Sequence, residues 1–301
     1  MNLRTLMILV LAIGIAPAVH ATKNCTITSA PAILDFNIYT PSSPTPDTAV
    51  GTITVTCNPN LIATLTMTRG TNSASYLPRT MALGGNLLPY NLYTSSAGNP
   101  PPVWGDGSAG TVVVNLVTTP QNKTFTLNIF GIMPINSDVP PGTYLDSINL
   151  TVNDDKAGDP DTVTFSVRAI VPAECTVSTF LIGFGTYDPI GTHATSPLDA
   201  TGVINVYCTR TTVGTVQLTA GQWSLGPLRR MRSAAGAFLT YDIYRELGRT
   251  TVWNLANTVS GVSGNRTLPI NGGFTAYAQI PANQDAAAGS YFDTIQAIVN
   301  Y

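Results

Sequence analysis

Short segments in which apolar and polar residues alternate recur along the chain. They include residues 53–55, 61–67, 112–116, 125–129 and 144–152. A period of two is typical of a strand that buries one face. Gly, Pro, Asn, Asp and Ser fill the gaps, and no stretch shows the period of an amphipathic helix. Strands recurring every dozen or so residues predict an all-β protein, with a β-sandwich and Greek-key connections as its architecture.

The same landmarks occur twice in the same order, which indicates a duplication of whole domains. They are "CTIT" at Cys25 and "CTVS" at Cys175, "GTITVTC" and "GVINVYC", "LPYNLY" and "LTYDIY", and the dipeptide "VW". The longest match aligns "IMPINSDVPPGTYLDSINLTV" with "QIPANQDAAAGSYFDTIQAIV" without a gap. We therefore predict two immunoglobulin-like β-sandwich domains in tandem, over residues 22–171 and 172–301.

One predicted strand has no counterpart in the second half. Residues 162–171 alternate as a strand should and follow the full strand set of the first half. Their apolar face consists of Val163, Phe165, Val167, Ala169 and Val171. The second half ends with its equivalent of the preceding strand, whose inward positions are Tyr291, Asp293, Ile295, Ala297 and Val299. The second domain is therefore expected to lack its last strand, to expose an unpaired edge, and to need a strand from another chain.

The first 21 residues have the pattern of a secretory signal peptide. Arg4 gives a positive start, an apolar run follows, and Val19-His20-Ala21 places small residues at a cleavage site. The alternative, a membrane anchor, is disfavoured because the run is shorter than the roughly 20 residues that span a bilayer. The mature chain is expected to begin at Thr22 and to be exported.

Charge and composition exclude some classes of partner. Without Arg4 the chain has 13 basic and 16 acidic residues, a net charge of −3. Charged residues are 10% of the sequence, against about 25% in ordinary domains, and no basic patch suggests nucleic acid. The four cysteines, Cys25, Cys57, Cys175 and Cys208, indicate two disulfides in an exported protein. Of the three possible connectivities, the matched separations favour one bridge in each half.

These landmarks, and above all "GTYLDSINLTV" and "GSYFDTIQAIVNY", resemble the spore coat protein U domain family, which includes the pilins of archaic chaperone–usher pili. The resemblance covers nearly the whole mature chain, twice. It implies a pilin-like fold that lacks its seventh strand. It also implies three partners: a periplasmic chaperone that first fills the groove, an outer-membrane usher, and the N-terminal donor strand of the next pilin subunit. Donor segments in the family lie just before the first cysteine, so residues 162–171 resemble a donor strand of the second domain inserted in cis into the first.

Position in a fibre follows from the same resemblance. Only three residues precede Cys25 in the mature chain, too few for a donor strand of about ten residues. A subunit that accepts a strand and donates none is expected at a pilus tip, as an extracellular or cell-surface adhesin that mediates attachment or biofilm formation. The alternative is a secreted spore-coat or extracellular matrix protein with a structural role.

Enzymatic chemistry is not expected, and neither is a cofactor or a metal site. His193 is the single histidine of the mature chain, in the segment "GTHATS", and is predicted to lie in a surface loop. No nucleophile elbow, phosphate loop or metal-spaced cluster occurs. Asp146 and Asp293 occupy matched positions in both halves, which favours a structural role such as capping a turn.

Candidates for binding an unknown surface or receptor are loop residues of the first half that the second does not echo. Matched aromatic residues such as Tyr90 and Trp104 are instead expected to be framework. The unmatched candidates come from "SASYL", the proline run after Asn99, and the acidic turn at residues 153–161. The residues predicted for a receptor site are Tyr76, Leu77, Pro100, Pro101, Pro102 and Val103.

Overall fold

The computed structural model describes residues 23–98, 100–121, 123–156, 158–178 and 180–301. The predicted signal peptide, residues 1–21, lies outside the described residues. Twenty strands and two three-residue 3₁₀ segments, Thr192–Ala194 and Ile270–Gly272, occur in the described part of the chain. The fold is all-β, as the sequence predicts.

The strands of the first half are β1 (Cys25–Ser29), β2 (Ile33–Ile38), β3 (Asp47–Cys57), β4 (Ile62–Met67), β5 (Arg79–Leu83), β6 (Asn86–Tyr93), β7 (Val114–Val117), β8 (Thr124–Met133), β9 (Gly142–Asp154) and β10 (Asp161–Val171). Those of the second half are β11 (Cys175–Val177), β12 (Leu198–Ile204), β13 (Val206–Cys208), β14 (Val213–Leu218), β15 (Arg229–Ser233), β16 (Phe238–Tyr244), β17 (Val259–Val262), β18 (Phe274–Ile280), β19 (Tyr291–Phe292) and β20 (Ala297–Asn300).

Two layers of strands enclose the core of the first half. One layer has the order β1-β3-β8-β6, and the other contains β4 beside β9, then β10 and β2. Strand β6 joins the layers, because its first residues pair with β5 and Asn91–Tyr93 pair with β8. Alternating inward residues of both layers form one buried cluster that includes Ile53, Leu65 and Phe165.

The second half repeats this arrangement around a separate core. Strands β12, β18, β16 and β15 lie side by side, and β14 lies between β17 and β20. Strand β16 switches partners as β6 does, from β15 to β18. Its buried cluster includes Ile204, Val216 and Trp253. Two immunoglobulin-like sandwiches in tandem are therefore confirmed.

Each half has one disulfide at the start of its first strand. Cys25 is bonded to Cys57 across the β1–β3 pair, and Cys175 to Cys208 across β11–β13. The Cα–Cα distances are 4.0 and 4.1 Å. These are the bridges that the matched separations favour, and they fix the start of the first strand to the end of the strand beside it.

Strand β10 is part of the first sandwich. It pairs antiparallel with β9 over eleven residues, from Asp161 opposite Val152 to Val171 opposite Gly142. On its other side it pairs in parallel with β2. Among the described residues of the second half, no strand takes the place that β10 has in the first. The structure therefore agrees with the prediction that the second domain lacks its last strand.

Candidate functional site

An apolar groove in the second domain lies where β10 lies in the first. Its floor contains the predicted acceptor residues, which are all half-buried: Tyr291, Asp293, Ile295, Ala297 and Val299. The matched residues of β9 are at most 4% exposed: Tyr144, Asp146, Ile148, Leu150 and Val152. The two rows have similar chemistry, so the difference in burial reflects the strand that covers one row and not the other.

In the first domain the covering strand is β10, with its apolar face turned into the core. Phe165, Val167, Ala169 and Val171 are buried there, and Val163 is half-buried against the same cluster. All five predicted residues of the cis strand therefore pack against the core.

The far wall of the groove is the segment that matches β2. Leu34 and Phe36 of β2 are buried beside β10, whereas the matched Ile182 and Phe184 are half-buried. The match is geometric as well, because Phe36 meets Tyr90 edge-on at 6.2 Å and Phe184 meets Tyr241 edge-on at 6.0 Å. Unlike β2, residues 180–186 are not assigned to a strand.

Together these walls enclose a cavity of about 290 Å³ that is open to solvent. At its rim Leu181 is 86% exposed and Phe292 is 72% exposed. The cavity is lined by Phe180, Leu181, Ile182, Phe184, Met231, Tyr241, Ile243, Tyr291, Phe292, Asp293, Thr294 and Ile295. An open apolar groove beside an unpaired strand edge is suited to a β-strand with apolar residues at alternate positions.

The sequence predicts one acceptor-edge strand through Tyr291 to Val299, and this is wrong in one respect. The edge consists of two short strands, β19 and β20, and residues 293–296 between them are not assigned to a strand. The matched strand β9 runs unbroken for 13 residues. The physical reason is that β9 exchanges hydrogen bonds with β10 along its length, whereas no described strand pairs with that side of residues 291–300.

A carboxylate anchors the floor of each groove. Asp293 accepts hydrogen bonds from the amides of Gln222 and Trp223 at 2.9 and 3.3 Å and from the Tyr241 hydroxyl at 2.7 Å. Burial, together with the hydrogen bond to Asp293, raises the pKa of Tyr241 well above its ordinary value. The phenol therefore stays protonated and donates to the carboxylate.

Asp146 has the same role in the first domain, with bonds from the Thr71 amide at 2.9 Å and the Tyr90 hydroxyl at 2.6 Å. The turn after β4 in the first domain and the turn after β14 in the second each approach the carboxylate through a glycine with positive φ. These glycines are Gly70 and Gly221. A Cβ at either glycine would lie 2.0 Å from the carboxylate. These contacts agree with the turn-capping role that the matched positions predict.

A buried arginine in each half is missed by the sequence interpretation. Arg79 donates to the carbonyl oxygens of Thr68 and Trp104 at 2.9 and 2.6 Å and to Asn91 Oδ1 at 2.7 Å. Arg229 makes the matched contacts with Thr219, Trp253 and Asp242. The available signal is an arginine at matched positions, shortly before "LPYNLY" and "LTYDIY", in a chain with few charges.

The prediction that His193 lies in a surface loop is wrong. Its side chain is in the 3₁₀ segment Thr192–Ala194, is 9% exposed, and stacks on Tyr187 with ring centroids 5.0 Å apart. Its Nδ1 accepts the Asp188 amide at 2.9 Å. The stack on Tyr187 and the bond from Asp188 hold the imidazole against the domain. Tyr187 is held in turn, because its hydroxyl donates a hydrogen bond to the Pro281 carbonyl at 3.0 Å.

The six predicted receptor residues do not form one exposed surface. Leu77 is 54% exposed, Pro100 and Pro102 are exposed, and Pro101 is half-buried. Val103 is only 8% exposed because it bridges to Tyr93, which corrects its selection as a surface residue.

Tyr76 is also less available than the sequence suggests. It is half-buried, its hydroxyl donates to the Met67 carbonyl at 3.2 Å, and the Arg79 guanidinium lies 5.1 Å from its ring centroid. Its position beside the buried arginine indicates a framework role. Leu77, Pro100 and Pro102 are therefore the candidates whose side chains solvent reaches most freely.

The acidic turn before β10 is tied to the start of the chain. Asp161 accepts a hydrogen bond from the Ile27 amide at 2.8 Å and forms an ion pair with Lys23. The Asn24 side chain donates a hydrogen bond to Asp154 at 3.2 Å. Burial alone would raise the pKa of Asp161, but the Lys23 ammonium and the Ile27 amide outweigh it and hold this pKa below its usual value. The two ends of the turn are thus held against β1 and the residues before it.

Two further searches cover the described residues only. No helix there is long and apolar enough to cross a bilayer. No three or more His, Cys, Asp and Glu side chains converge on a possible metal position in the same part of the chain.

Known proteins are similar to this chain in sequence or in fold. Protein U of Myxococcus xanthus is 30% identical over 129 residues, which are 40% of this chain and 71% of that protein. Among solved structures, the fold is similar to the CsuC–CsuE chaperone–tip adhesion subunit pre-assembly complex from archaic chaperone–usher Csu pili of Acinetobacter baumannii. That match has a TM-score of 0.57 and 15% identity and covers 92% of this chain and all of the other.

The family model of the Spore Coat Protein U domain matches residues 12–151 and again residues 161–298. The second match begins at Asp161, the first residue of β10, although β10 is packed in the first core. Sequence and structure thus divide the chain at different points. Two matches that together span most of the sequence show that this chain belongs to the Spore Coat Protein U domain family.

Proposed function

We propose that this protein is a pilus tip subunit whose second domain accepts a β-strand from another protein and whose first domain mediates attachment to a surface. The observation that carries the proposal is the difference between the two grooves. Matched rows of inward residues are buried under β10 in the first domain and half-buried beside an open cavity in the second. A strand at the same place in the second domain would cover that row.

The family match supports β10 as a donor strand. The second match starts with β10, so in sequence this strand belongs to the second domain. In space it completes the first, with β9 on one side and β2 on the other. A segment that belongs to one repeat and completes its neighbour is donor-strand complementation within a single chain.

Partners follow from the same proposal. The fold is similar to a tip subunit that was solved with its chaperone, which supports a periplasmic chaperone as the first occupant of the second groove. The outer-membrane usher and the N-terminal donor strand of the next pilin subunit would then act in assembly. The protein would be exported through the periplasm and located outside the cell, at a pilus tip or on the cell surface. No catalytic step is part of this function.

Attachment would use loops of the first domain, which β10 holds in a complete and stable sandwich. Leu77, Pro100 and Pro102 offer apolar side chains to solvent there. Attachment of this kind would support biofilm formation. Adhesion of cells that carry Leu77→Ser with Pro102→Ser, compared with cells that carry Thr164→Ser on β10, tests whether these loops contact the surface.

The acceptor groove is tested by supplying the missing strand from within the chain. Residues 152, 153 and 154 match 299, 300 and 301, so a second copy of residues 155–171 placed after Tyr301 reproduces the β9–β10 connection. We expect the appended copy to protect the amides of residues 291–300 from hydrogen exchange and to raise the melting temperature of the second domain. A scrambled copy of equal composition is the control. If the second domain is equally stable with either tail, the acceptor function is refuted.

A secreted spore-coat or extracellular matrix protein is the second candidate. Similarity to Protein U over most of that protein's length favours it. In that role the open groove would pair with any neighbouring subunit rather than with a dedicated pilin. Immunogold labelling separates the two functions, because label at fibre ends supports the tip subunit and label spread over a cell or spore surface supports the coat.

A further inference from the structure

The two grooves differ at the positions that an inserted strand would contact. In the first domain, Val163 of β10 lies opposite Leu150 on the inner face. The residue that matches Leu150 is Ala297, in the corresponding place on β20. The second groove therefore has less side-chain volume on its floor at this point.

Strand β14, which pairs with Ala297, does not compensate for the smaller side chain with larger ones of its own. Met67 and Leu65 of β4 pair with Leu150 and Val152. Their matches on β14, Leu218 and Val216, pair with Ala297 and Val299. Each replacement is equal in size or smaller. Apolar interiors pack densely, so a residue larger than valine is needed to fill the space above Ala297.

The outer face differs in charge. In the first domain Arg168 of β10 lies between Asp35 of β2, with which it forms an ion pair, and Leu145 of β9. In the second domain Gly183 stands where Asp35 would be, and a Cβ built on it meets nothing within 4 Å. An arginine inserted beside Gly183 would have no carboxylate there.

The remaining neighbours on this face supply no carboxylate, and one of them is a cation. Phe292 matches Leu145, and the next residue across the sheet is Arg232, which pairs with both Phe292 and Phe238. The match of Arg232 in the first domain is the uncharged Ala82, which pairs with Leu145. Two strand spacings separate Arg232 from the inserted position, about 10 Å, a distance at which like charges still repel weakly.

We propose that the second groove selects a strand with an apolar residue larger than valine opposite Ala297 and with no cationic residue between Gly183 and Phe292. This inference rests on the proposed acceptor function. Its consequence is that the sequence of β10 fits the first groove better than the second. Copies of this chain are thereby discouraged from exchanging β10 with one another, and the strand that fills the second groove comes from a protein of different sequence.

Appended strands test this selectivity in the full chain. Four versions carry residues 155–171 after Tyr301: the unchanged copy, Val163→Leu, Arg168→Thr, and both changes together. We expect the double change to raise the melting temperature of the second domain by about 3–5 °C over the unchanged copy. Hydrogen exchange of the amides of residues 291–300 should also be slower with the double change than with the unchanged copy.

The same two substitutions made in β10 itself are the matched control. There they should lower the melting temperature of the first domain, because leucine crowds Leu150 and threonine leaves Asp35 without its partner. An Ala297→Leu variant should remove the advantage of Val163→Leu in the appended copy. If the unchanged copy stabilises the second domain as well as the double change does, the selectivity is refuted while the acceptor function stands. If no appended copy stabilises that domain, both are refuted.

Discussion

Tyr241 donates a hydrogen bond to Asp293 Oδ2 at 2.7 Å, and Tyr90 makes the same bond to Asp146 at 2.6 Å. The contact is thus preserved across the duplication, although one carboxylate lies under β10 and the other lines an open groove. The bond joins β6 to β9 in the first domain and β16 to Asp293 in the second, while amides of the nearby turn donate to the same carboxylates. Asp293 is therefore held in place although residues 293–296 form no strand.

Replacing these carboxylates should affect the two domains unequally. Asp146→Ala leaves the Tyr90 hydroxyl and the Thr71 amide without an acceptor in a buried place, so we expect a loss of about 2–3 kcal/mol in the free energy of unfolding. Asp293→Ala should cost less, because water reaches the open groove. Urea unfolding of both variants measures the difference. Equal losses would contradict the contrast in burial.

Truncating Phe165 should destabilise the first domain alone. Its ring is 1% exposed and is the largest side chain that β10 places in the core, so Phe165→Ala should cost about 3–5 kcal/mol. Thr164→Ser, on the outward face of the same strand, keeps the hydroxyl that donates to Asn149 Oδ1 at 2.8 Å and should change the free energy of unfolding by about 1 kcal/mol or less. Calorimetry that resolves one transition for each domain would show only the transition of the first domain moving, and only for Phe165→Ala. A shift in both transitions would mean that the domains unfold together.

Acid should loosen β10 through two carboxylates. The Arg168 guanidinium lowers the pKa of Asp35, and Lys23 with the Ile27 amide outweighs burial to lower that of Asp161. A depressed folded-state pKa gives stability that is present above the unfolded value of about 3.9 and is lost as the pH falls through the folded value. We therefore expect the first domain to be evenly stable from pH 7 to about 5 and to weaken below about pH 4.

The paired variants Asp35→Asn and Asp161→Asn should be less stable at pH 7 and should flatten this acid dependence. Thermal melts of the first domain between pH 2 and 7 measure the effect. An unchanged acid slope in the double variant would show that other carboxylates control it.

The buried arginines should tolerate no conservative change. Lysine offers one compact donor group and cannot bridge the carbonyl groups of Thr68 and Trp104 as the Arg79 guanidinium does. We expect Arg79→Lys to cost about 2–5 kcal/mol in the first domain, and Arg229→Lys a similar amount in the second. Arg245→Lys, on an exposed guanidinium, is the control. A fully stable Arg79→Lys protein would show that water replaces the lost bonds.

Much of the fold could be predicted because the duplication compares the chain with itself. Residues 125–129 and 144–152 alternate clearly and lie within β8 and β9. Strand β10 could be predicted from its own pattern. The parallel pairing of β2 with β10 could not, since "ILDFNI" is short and its partner lies more than a hundred residues away.

The candidate site was predictable in outline and not in detail. Alternation locates Tyr291 to Val299 as inward positions, but it cannot reveal that strand pairing stops at residues 293–296 when no neighbour is present. Loops are usually exposed, which favours a surface position for Val103 and His193, yet both are buried. The repeated dipeptide VW is a signal that Val103 belongs to the framework, whereas no repeat covers His193, which stacks on Tyr187.

The position of β10 also sets the order in which the protein can mature. Ribosomes make the amino end first, and the first domain cannot close its core until residue 171 exists, because β9 and β2 both need β10 between them. Cys25 and Cys57 are 32 residues apart, so both cysteines of this bridge are present long before β10. For most of its synthesis the first domain is therefore a sandwich without its last strand, and its core stays open until β10 has been made.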